Sequence, residues 1–355
     1  MPQTPAGWEE TTLGEVVNIQ TWKWIPSSER LEYWKYEIIG ANWIIWYMNS
    51  YLLDWEFILT WRVWTIWEIL YKVWKFHPSD NVLCISEKKN VSIRFLSYYL
   101  KTLSLKTLNC WSTQPLVTQT QYRNLPIHLP PLPEQQAIAA VLSSFDDKIE
   151  LLRAENQTLE QMGQELFKER FGKWKVGDEL PEGWRVGKIT EIIKRETISY
   201  KCDKKDLDDK GKTPILDQGT TGLYGYTSRD PDFIATKDNP VIIFTNHTCN
   251  FWFIDYPFCA IQNVLPYRWI NGYDEYFLYF MTKGSIKFTE YKGHRPSFVA
   301  LDFVIPPIEL AQEFSKIAEG ILKKISWNKE QIQTLSATRD QLLPKLMSGE
   351  VRVEF

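Results

Sequence analysis

The chain has 355 residues, 44% of them hydrophobic, which is enough for two or three domains with buried cores. The first residues, MPQTPAGWEE, carry neither a basic nor an apolar segment, so we expect no secretory signal and a cytoplasmic location. A net charge of -3 argues against a uniformly basic nucleic-acid binder. The five cysteines show no CxxC spacing, and the sequence therefore predicts neither a disulfide framework nor a metal site.

The charge is distributed unevenly along the chain. Residues 20–130 hold 12 basic and 8 acidic side chains, residues 134–171 hold 4 and 8, and residues 185–305 hold 16 and 15. The first stretch is basic and the second is acidic, whereas the third is almost neutral. Charge alone does not predict DNA binding for this chain.

The chain repeats itself with an offset of 176 residues. Each half begins with Gly-Trp (Gly7 and Gly183) and continues through short segments with β character, which are YEIIG, EFILT and NVLCI in the first half and TPILD, PVIIFT and NVLPY in the second. Each half then passes through a Pro-Pro step into a long helical pattern. The sequence thus predicts a tandem duplication.

The predicted fold class is α+β, with two tandem mixed or β-rich domains that are each followed by a long helix. The predicted boundaries are 1–133 for the first domain, 134–171 for its helix, 172–307 for the second domain and 308–350 for its helix.

Both helical segments carry apolar residues at alternating spacings of four and three, which is the heptad pattern of a coiled-coil seam. The predicted seam consists of Phe145, Ile149, Leu152, Asn156, Leu159, Leu166, Ile321, Ile325, Asn328, Ile332, Leu335 and Leu342. Because the two seams match, we expect the helices to pair as an antiparallel coiled coil with the two asparagines as register markers. Two ordinary amphipathic helices, each packed on its own domain, are the alternative.

The first half contains an unusual number of tryptophans. Eleven lie between Trp22 and Trp111, and this stretch has a single glycine, Gly40. Aligning the two halves places Trp43 on Gly222, Trp46 on Gly225 and Trp111 on Gly293. Because tight turns need glycine at positive φ, we hypothesise that UGA codons read as glycine by the cell have been translated as tryptophan.

An aromatic platform for single-stranded nucleic acid is an alternative explanation of these tryptophans, although such a platform needs only a few placed rings. The same residues raise the hydropathy around 38–75. The longest uncharged run there, 38–53, is shorter than the roughly 20 apolar residues that span a membrane. We therefore predict no membrane segment.

Nearly the whole chain resembles the specificity subunits of type I restriction-modification systems. GWEETTLGEVV and GWRVGKITEII look like the family's domain starts, LPPLPEQQAIAAVLSSFDDKIELL resembles its proline step into a helix, and QLLPKLMSGEVRV is similar to its C-terminus. With glycine in place of tryptophan, residues 54–83 also resemble the core of its recognition domain.

The resemblance implies a non-catalytic subunit in which each recognition domain reads one half of a split sequence in double-stranded DNA. It also implies that the helices set the spacing and dock methyltransferase (modification) subunits, which work together with restriction or translocase subunits. No cofactor is expected in this chain itself. S-adenosylmethionine, ATP and Mg²⁺ are expected on the partner subunits.

Catalytic motifs are not recognisable in the sequence, which has no Asn-Pro-Pro-Tyr-like motif and no glycine-rich cofactor loop, so we assign no catalytic residue. Loop residues able to contact base edges are the DNA-binding candidates, and they are Asn42, Arg62, Lys75, Asn246, His247, Lys292 and Arg295. The alternatives are a pseudosymmetric coiled-coil scaffold without specific DNA binding and a fused methyltransferase or nuclease.

Overall fold

The computed structural model describes residues 6–23, 25–33, 35–40, 43–62, 68–105, 117–219, 221–290 and 292–354. The chain forms two compact units. Unit 1 comprises Met1–Ile149 and Gln333–Phe355, and unit 2 comprises Glu150–Ile332. None of the helices in the described ranges is both long and apolar enough to cross a membrane.

Within the described residues, unit 1 contains nine strands, three short helices and parts of two long helices. Its strands are β1 (Glu9–Thr12), β2 (Val17–Gln20), β3 (Tyr36–Gly40), β4 (Trp43–Met48), β5 (Glu56–Trp61), β6 (Leu70–Val73), β7 (Phe76–Pro78), β8 (Val82–Glu87) and β9 (Pro126–Leu129). Its short helices are α1 (Leu13–Val16), α2 (Ile93–Thr102) and α3 (Gln119–Arg123). The strands form three sheets with the orders β2-β8-β5-β6, β4-β3-β7 and β1-β9.

Unit 2 has the same plan. Its strands are β10 (Arg185–Lys188), β11 (Ile193–Arg195), β12 (Thr213–Leu216), β13 (Leu223–Thr227), β14 (Val241–Thr245), β15 (Phe251–Ile254), β16 (Cys259–Ala260), β17 (Val264–Trp269) and β18 (Asp302–Ile305). The short helices are α5 (Glu275–Thr282) and α6 (Arg295–Ala300). The sheet orders are β11-β17-β14-β15, β13-β12-β16 and β10-β18.

The two units therefore share one topology, strand for strand, and the predicted duplication is visible in the fold. The correspondence extends to single residues. The hairpins β3–β4 and β12–β13 both shift register by one residue near their turns, and matching the two registers places Trp43 on Gly222 and Trp46 on Gly225. Trp43 has φ +76°, and Gly222 has φ +72°.

A tryptophan at positive φ is unusual because the Cβ atom crowds the backbone there, at a cost of about 1–2 kcal/mol. Trp43 is also 51% exposed, so its indole supplies only part of the stabilisation that a fully buried indole would give. The backbone of the hairpin thus has the conformation that the glycine of unit 2 adopts without strain. This geometry supports the glycine hypothesis at Trp43, whereas Trp111 lies outside the described residues.

Each unit has its own core under its four-stranded sheet. All five residues of β14 are buried, as expected for a central strand covered on both faces. In unit 2 the core contains the fully buried rings of Phe244, Phe277, Phe298 and Phe314, and each such ring contributes about 1.5–3 kcal/mol. In unit 1 the buried face of α2 packs on the sheet, as α5 does in unit 2.

Two helices of 40 residues follow the Pro-Pro steps. Helix α4 is Leu132–Phe171, and helix α7 is Ile308–Met347. The first begins two residues before the predicted boundary, and the second ends three residues before it. Residues 132–149 and 333–347 belong to unit 1, and the remainder of both helices belongs to unit 2.

Within unit 2 the two helices run antiparallel. Asn328 Nδ2 donates to Asn156 Oδ1 at 2.9 Å and to Glu155 Oε2 at 2.8 Å. Farther along α4, the ring of Phe171 packs on that of Phe314 with centroids 5.6 Å apart. Residue numbers rise along one helix as they fall along the other, which is the antiparallel order.

Unit 1 shows the same order independently. Glu134 pairs with Arg352, just beyond α7, and Asp146 pairs with Arg339 at 2.6 Å. The seam residues predicted from the heptads are all buried or half-buried in their units. Asn328 is the most enclosed polar residue among them, with no exposed surface. The helices therefore contact each other within both units, and they do not pack solely on their own domains.

Candidate nucleic-acid interface

In unit 2, polar loops meet at the end of the central strand β14. The backbone N–H of Asn246 donates to Asn263 O at 3.0 Å, and Asn246 O accepts from His294 N at 2.8 Å. Asn246 thereby joins the loop after β14, the loop before β17 and the start of α6. We call this backbone arrangement the strand-end node.

Side chains extend the node into a polar cluster, which we define as Gln218, Asn246, His247, Asn263 and Arg295. Asn246 Oδ1 accepts from Arg295 N at 2.7 Å, and Asn246 Nδ2 donates to Asn263 Oδ1 at 3.3 Å. Asn263 Nδ2 lies 2.9 Å from His247 Nε2, and Gln218 Oε1 accepts from His247 N at 2.9 Å. These contacts hold the amides and the imidazole in fixed orientations.

The cluster is accessible as well as ordered, because Asn246, His247 and Arg295 are all half-exposed. Burial raises the pKa of the neighbouring Tyr267 hydroxyl, and the positive charge of Arg295 opposes that rise. Lys292 lies in the loop that precedes α6. Its side chain is exposed and pairs with that of Glu290 at 2.5 Å. The surface therefore presents amide donors and acceptors beside two cations.

Unit 1 has the same node with a different side chain. The backbone N–H of Arg62 donates to Asn81 O at 3.1 Å, and Arg62 O accepts from Val117 N at 3.1 Å. Arg62 follows β5 as Asn246 follows β14, and Asn81 precedes β8 as Asn263 precedes β17. The two units thus present different side chains, a guanidinium and an amide, from one conserved backbone arrangement.

Lys75, another DNA-binding candidate of unit 1, does not join this node. Glu56 lies opposite Val73 in the antiparallel β5–β6 hairpin, so Lys75 lies beyond the start of β5 while Arg62 lies beyond its end. Lys75 is level with Asp54, eight residues from Arg62, so roughly 27 Å separates them at about 3.4 Å per residue. Lys75 instead pairs with Asp54 at 3.4 Å. Asn42 lies outside the described residues.

Sequence reasoning missed Gln218, Asn81 and Asn263. A signal for the two asparagines was present, because each stands directly before the repeated Val-Leu of NVLCI and NVLPY. The signal for Gln218 is weaker, since it is one polar residue in the turn after β12.

Comparison with known proteins supports this architecture. The family model for the type I restriction modification DNA specificity domain matches residues 5–161. A relative in Methanocaldococcus jannaschii, the type I restriction enzyme MjaIX specificity subunit, is 28% identical over 311 residues, which are 76% of this chain and 72% of the relative. Residues 5–161 thus match the type I restriction modification DNA specificity domain, and the chain as a whole is similar to type I specificity subunits. The resemblance inferred from the sequence motifs is confirmed.

Two further proteins are similar to this chain. The putative type I restriction enzyme MjaX specificity subunit of the same organism is 22% identical over 320 residues, covering 78% of this chain and 72% of the relative. The crystal structure of the type I restriction-modification S subunit from M. genitalium has a TM-score of 0.65 at 16% identity and covers 98% of this chain and 96% of that one. The latter likeness shows a shared fold.

Proposed function

We propose that this specificity subunit reads a bipartite sequence in double-stranded DNA, one half with the loops of unit 1 and the other half with the loops of unit 2. The observation that carries this proposal is the strand-end node. The same backbone hydrogen bonds recur in both units, yet they present Arg62 in one and Asn246 in the other. A duplicated scaffold with different presented side chains is what two readers of different sequences require.

The presented groups suit base recognition in the major groove. An arginine can donate two hydrogen bonds to guanine, and an asparagine can pair with adenine through its amide. Each such pair discriminates against the wrong base by about 1–3 kcal/mol. Lys292 and Arg295 beside the amides are suited to phosphate contacts, which position a protein on DNA without reading its sequence.

We further propose that the chain itself catalyses neither methyl transfer nor strand cleavage. Modification subunits that bind S-adenosylmethionine, and restriction subunits that use ATP and Mg²⁺, would supply that chemistry. The missing methyltransferase and nucleotide-binding motifs in the sequence support this division. The paired helices α4 and α7, with their heptad seam, are the proposed docking surface for modification subunits and the proposed determinant of half-site spacing.

Reconstitution tests this function. The purified chain alone should transfer no methyl group to DNA. A mixture with its cognate modification subunits and S-adenosylmethionine should methylate adenine within one bipartite sequence. Methylation by the isolated chain, or a mixture whose methylation has no sequence preference, would contradict the proposal.

A further inference from the structure

Three side chains able to bind metal converge in unit 2, away from the strand-end node. The thiols of Cys202 and Cys259 and a carboxylate oxygen of Asp232 all lie within 4.8 Å of one another. They come from three separate segments, which are the chain before β12, strand β16 and the loop after β13. Their spacing in the sequence resembles no metal-binding motif, so the fold alone brings them together.

The backbone holds each of the three segments in place. Cys202 N donates to Ala260 O at 2.9 Å, which ties its segment to the residue after Cys259. Phe233 N donates to Phe258 O at 3.1 Å, and this bond fixes the neighbouring Asp232 beside the same strand. The three side chains therefore project from a hydrogen-bonded frame, and their proximity does not depend on a mobile loop.

The carboxylate of this group has a buried atom without a partner in the described part of the chain, whereas the Cys259 thiol donates to Asp230 O at 3.5 Å. Cys259 has no exposed surface, and Cys202 is 4% exposed. Within the described part of the chain, the Oδ2 atom of Asp232 is buried and has no hydrogen-bond partner. An anionic carboxylate beside two buried thiols costs free energy unless a positive charge compensates it.

We propose that Cys202, Asp232 and Cys259 bind one Zn²⁺ ion. Two thiolates and a carboxylate form a ligand set that favours zinc over Mg²⁺ or Ca²⁺, which prefer oxygen ligands alone. At Zn–S distances of about 2.3 Å, a tetrahedral site needs ligand atoms about 3.8 Å apart, within side-chain adjustment of the observed arrangement. Binding converts both thiols to thiolates and releases two protons, and water occupies the fourth position.

The site would cross-link the segment around Cys202, strand β16 and the loop after β13. Cys259 lies beside Ile215 of β12, and β12 leads directly into the turn that carries Gln218. Zinc binding would thus stabilise the part of unit 2 that positions one member of the polar cluster. In unit 1 the position of Cys259 is taken by His77, as the β3–β7 register shows. Among the described residues of unit 1, His77 has no comparable group of His, Cys, Asp or Glu side chains around it, so we expect one zinc ion per chain.

The test is metal titration of the full-length chain, stripped of metal by a chelator and kept reduced, with Co²⁺ and then Zn²⁺. The chain should bind one Co²⁺ with the visible absorption of a tetrahedral thiolate site, and Zn²⁺ should displace it. Because both thiols must lose a proton, Co²⁺ affinity should fall by up to about 100-fold per pH unit on acidification. Zn²⁺ should also raise the melting temperature of unit 2.

Variants locate the site. Cys202→Ser and Cys259→Ser should each weaken Co²⁺ binding by more than about tenfold. Loss of a residue that only hydrogen-bonds to a metal ligand already costs about tenfold or more, and these residues are proposed to be ligands themselves. Asp232→Asn keeps both thiols, so it should retain thiolate-to-cobalt absorption while binding more weakly. Cys249→Ser is the matched control, since Cys249 is a buried thiol of the same unit outside the cluster, and it should bind like the wild type.

Several outcomes would overturn the proposal. The proposal is wrong if the reduced wild-type chain binds no Co²⁺. It is also wrong if Cys249→Ser loses as much Co²⁺ affinity as Cys202→Ser. A Cys202–Cys259 disulfide in protein purified without oxygen would assign the pair to another role. If a serine variant fails to fold, Asp232→Asn and the pH dependence of the wild type still decide the question. The titration uses no DNA, so its result is independent of the proposed function.

Discussion

The backbone conformation at Trp43 predicts which of two small residues, glycine or alanine, gives the more stable variant. Trp43 has φ +76°, whereas Trp46, three residues along the same strand, does not have a positive φ. We propose replacing each in turn by alanine and by glycine. The comparison of the two small residues at one position removes the effect of losing the indole, because both variants lose it equally.

At Trp43, alanine keeps the steric cost of a Cβ atom at positive φ, about 1–2 kcal/mol. Glycine avoids this cost but loses about 0.5–1 kcal/mol through its greater chain entropy in the unfolded state. Trp43→Gly should therefore be more stable than Trp43→Ala by about 0.5–1 kcal/mol. At Trp46 only the entropy difference applies, so Trp46→Ala should be the more stable variant by a similar amount.

Thermal unfolding of the full-length variants, followed through the transition of unit 1, measures these differences. A change of 1 kcal/mol corresponds to about 2–4 °C in a unit of this size. The expected result is an inversion of the glycine–alanine order between the two positions. Equal stabilities of Trp43→Gly and Trp43→Ala, or a more stable alanine variant at both positions, would refute the reasoning.

Three other predictions concern the codons and the helix pair. The codon for Trp43 should be UGA, and the native tryptic peptide 36–62, which holds Trp43, Trp46, Trp55 and Trp61, should be lighter by about 129 Da for each UGA codon in it, the difference between the two residues; a UGG codon for Trp43 would contradict the hypothesis at this position. Asn328→Leu should destabilise unit 2 by about 1–2 kcal/mol, because it leaves polar partners without their donor. The double variant with Asn156→Leu should recover that loss, and equal melting temperatures for the single and double variants would contradict it. Inserting seven residues after Glu155 and after Gln331 keeps the heptad phase and adds about 10.5 Å of helix. The recognised half-sites should then lie about three base pairs farther apart, whereas four-residue insertions should reduce activity, and methylome sequencing reads both outcomes.

Much of the fold could be predicted from the sequence because its signals are local and repeated. Strand segments such as YEIIG and PVIIFT appear as β3 and β14, and the heptads predicted the buried seam that includes Asn328. Helix boundaries differed by a few residues, since the proline steps allow helix to begin at Leu132.

The site was less predictable, because its contacts join residues that are distant in the chain. Nothing in the local pattern links Gln218 to His247, or Cys202 to Cys259, until the sheets form. The positions of Lys75 and Arg62 relative to each other show the same limit. Both are cations near turns, and only the register of the β5–β6 hairpin shows that they lie at its opposite ends.

The central claim is that each unit reads its own half of the target, and methylome sequencing of cells that carry point variants tests it most directly. Arg62→Ala should relax recognition in one half-site only, and Asn246→Ala should relax it in the other half-site only. Each loss of about 1–3 kcal/mol should admit the wrong base about 5 to 150 times more readily. Lys75→Ala, at the far end of the hairpin from Arg62, is the control and should leave the recognised sequence unchanged. If either node variant altered both halves, or if both left the recognised sequence intact, the account would be contradicted.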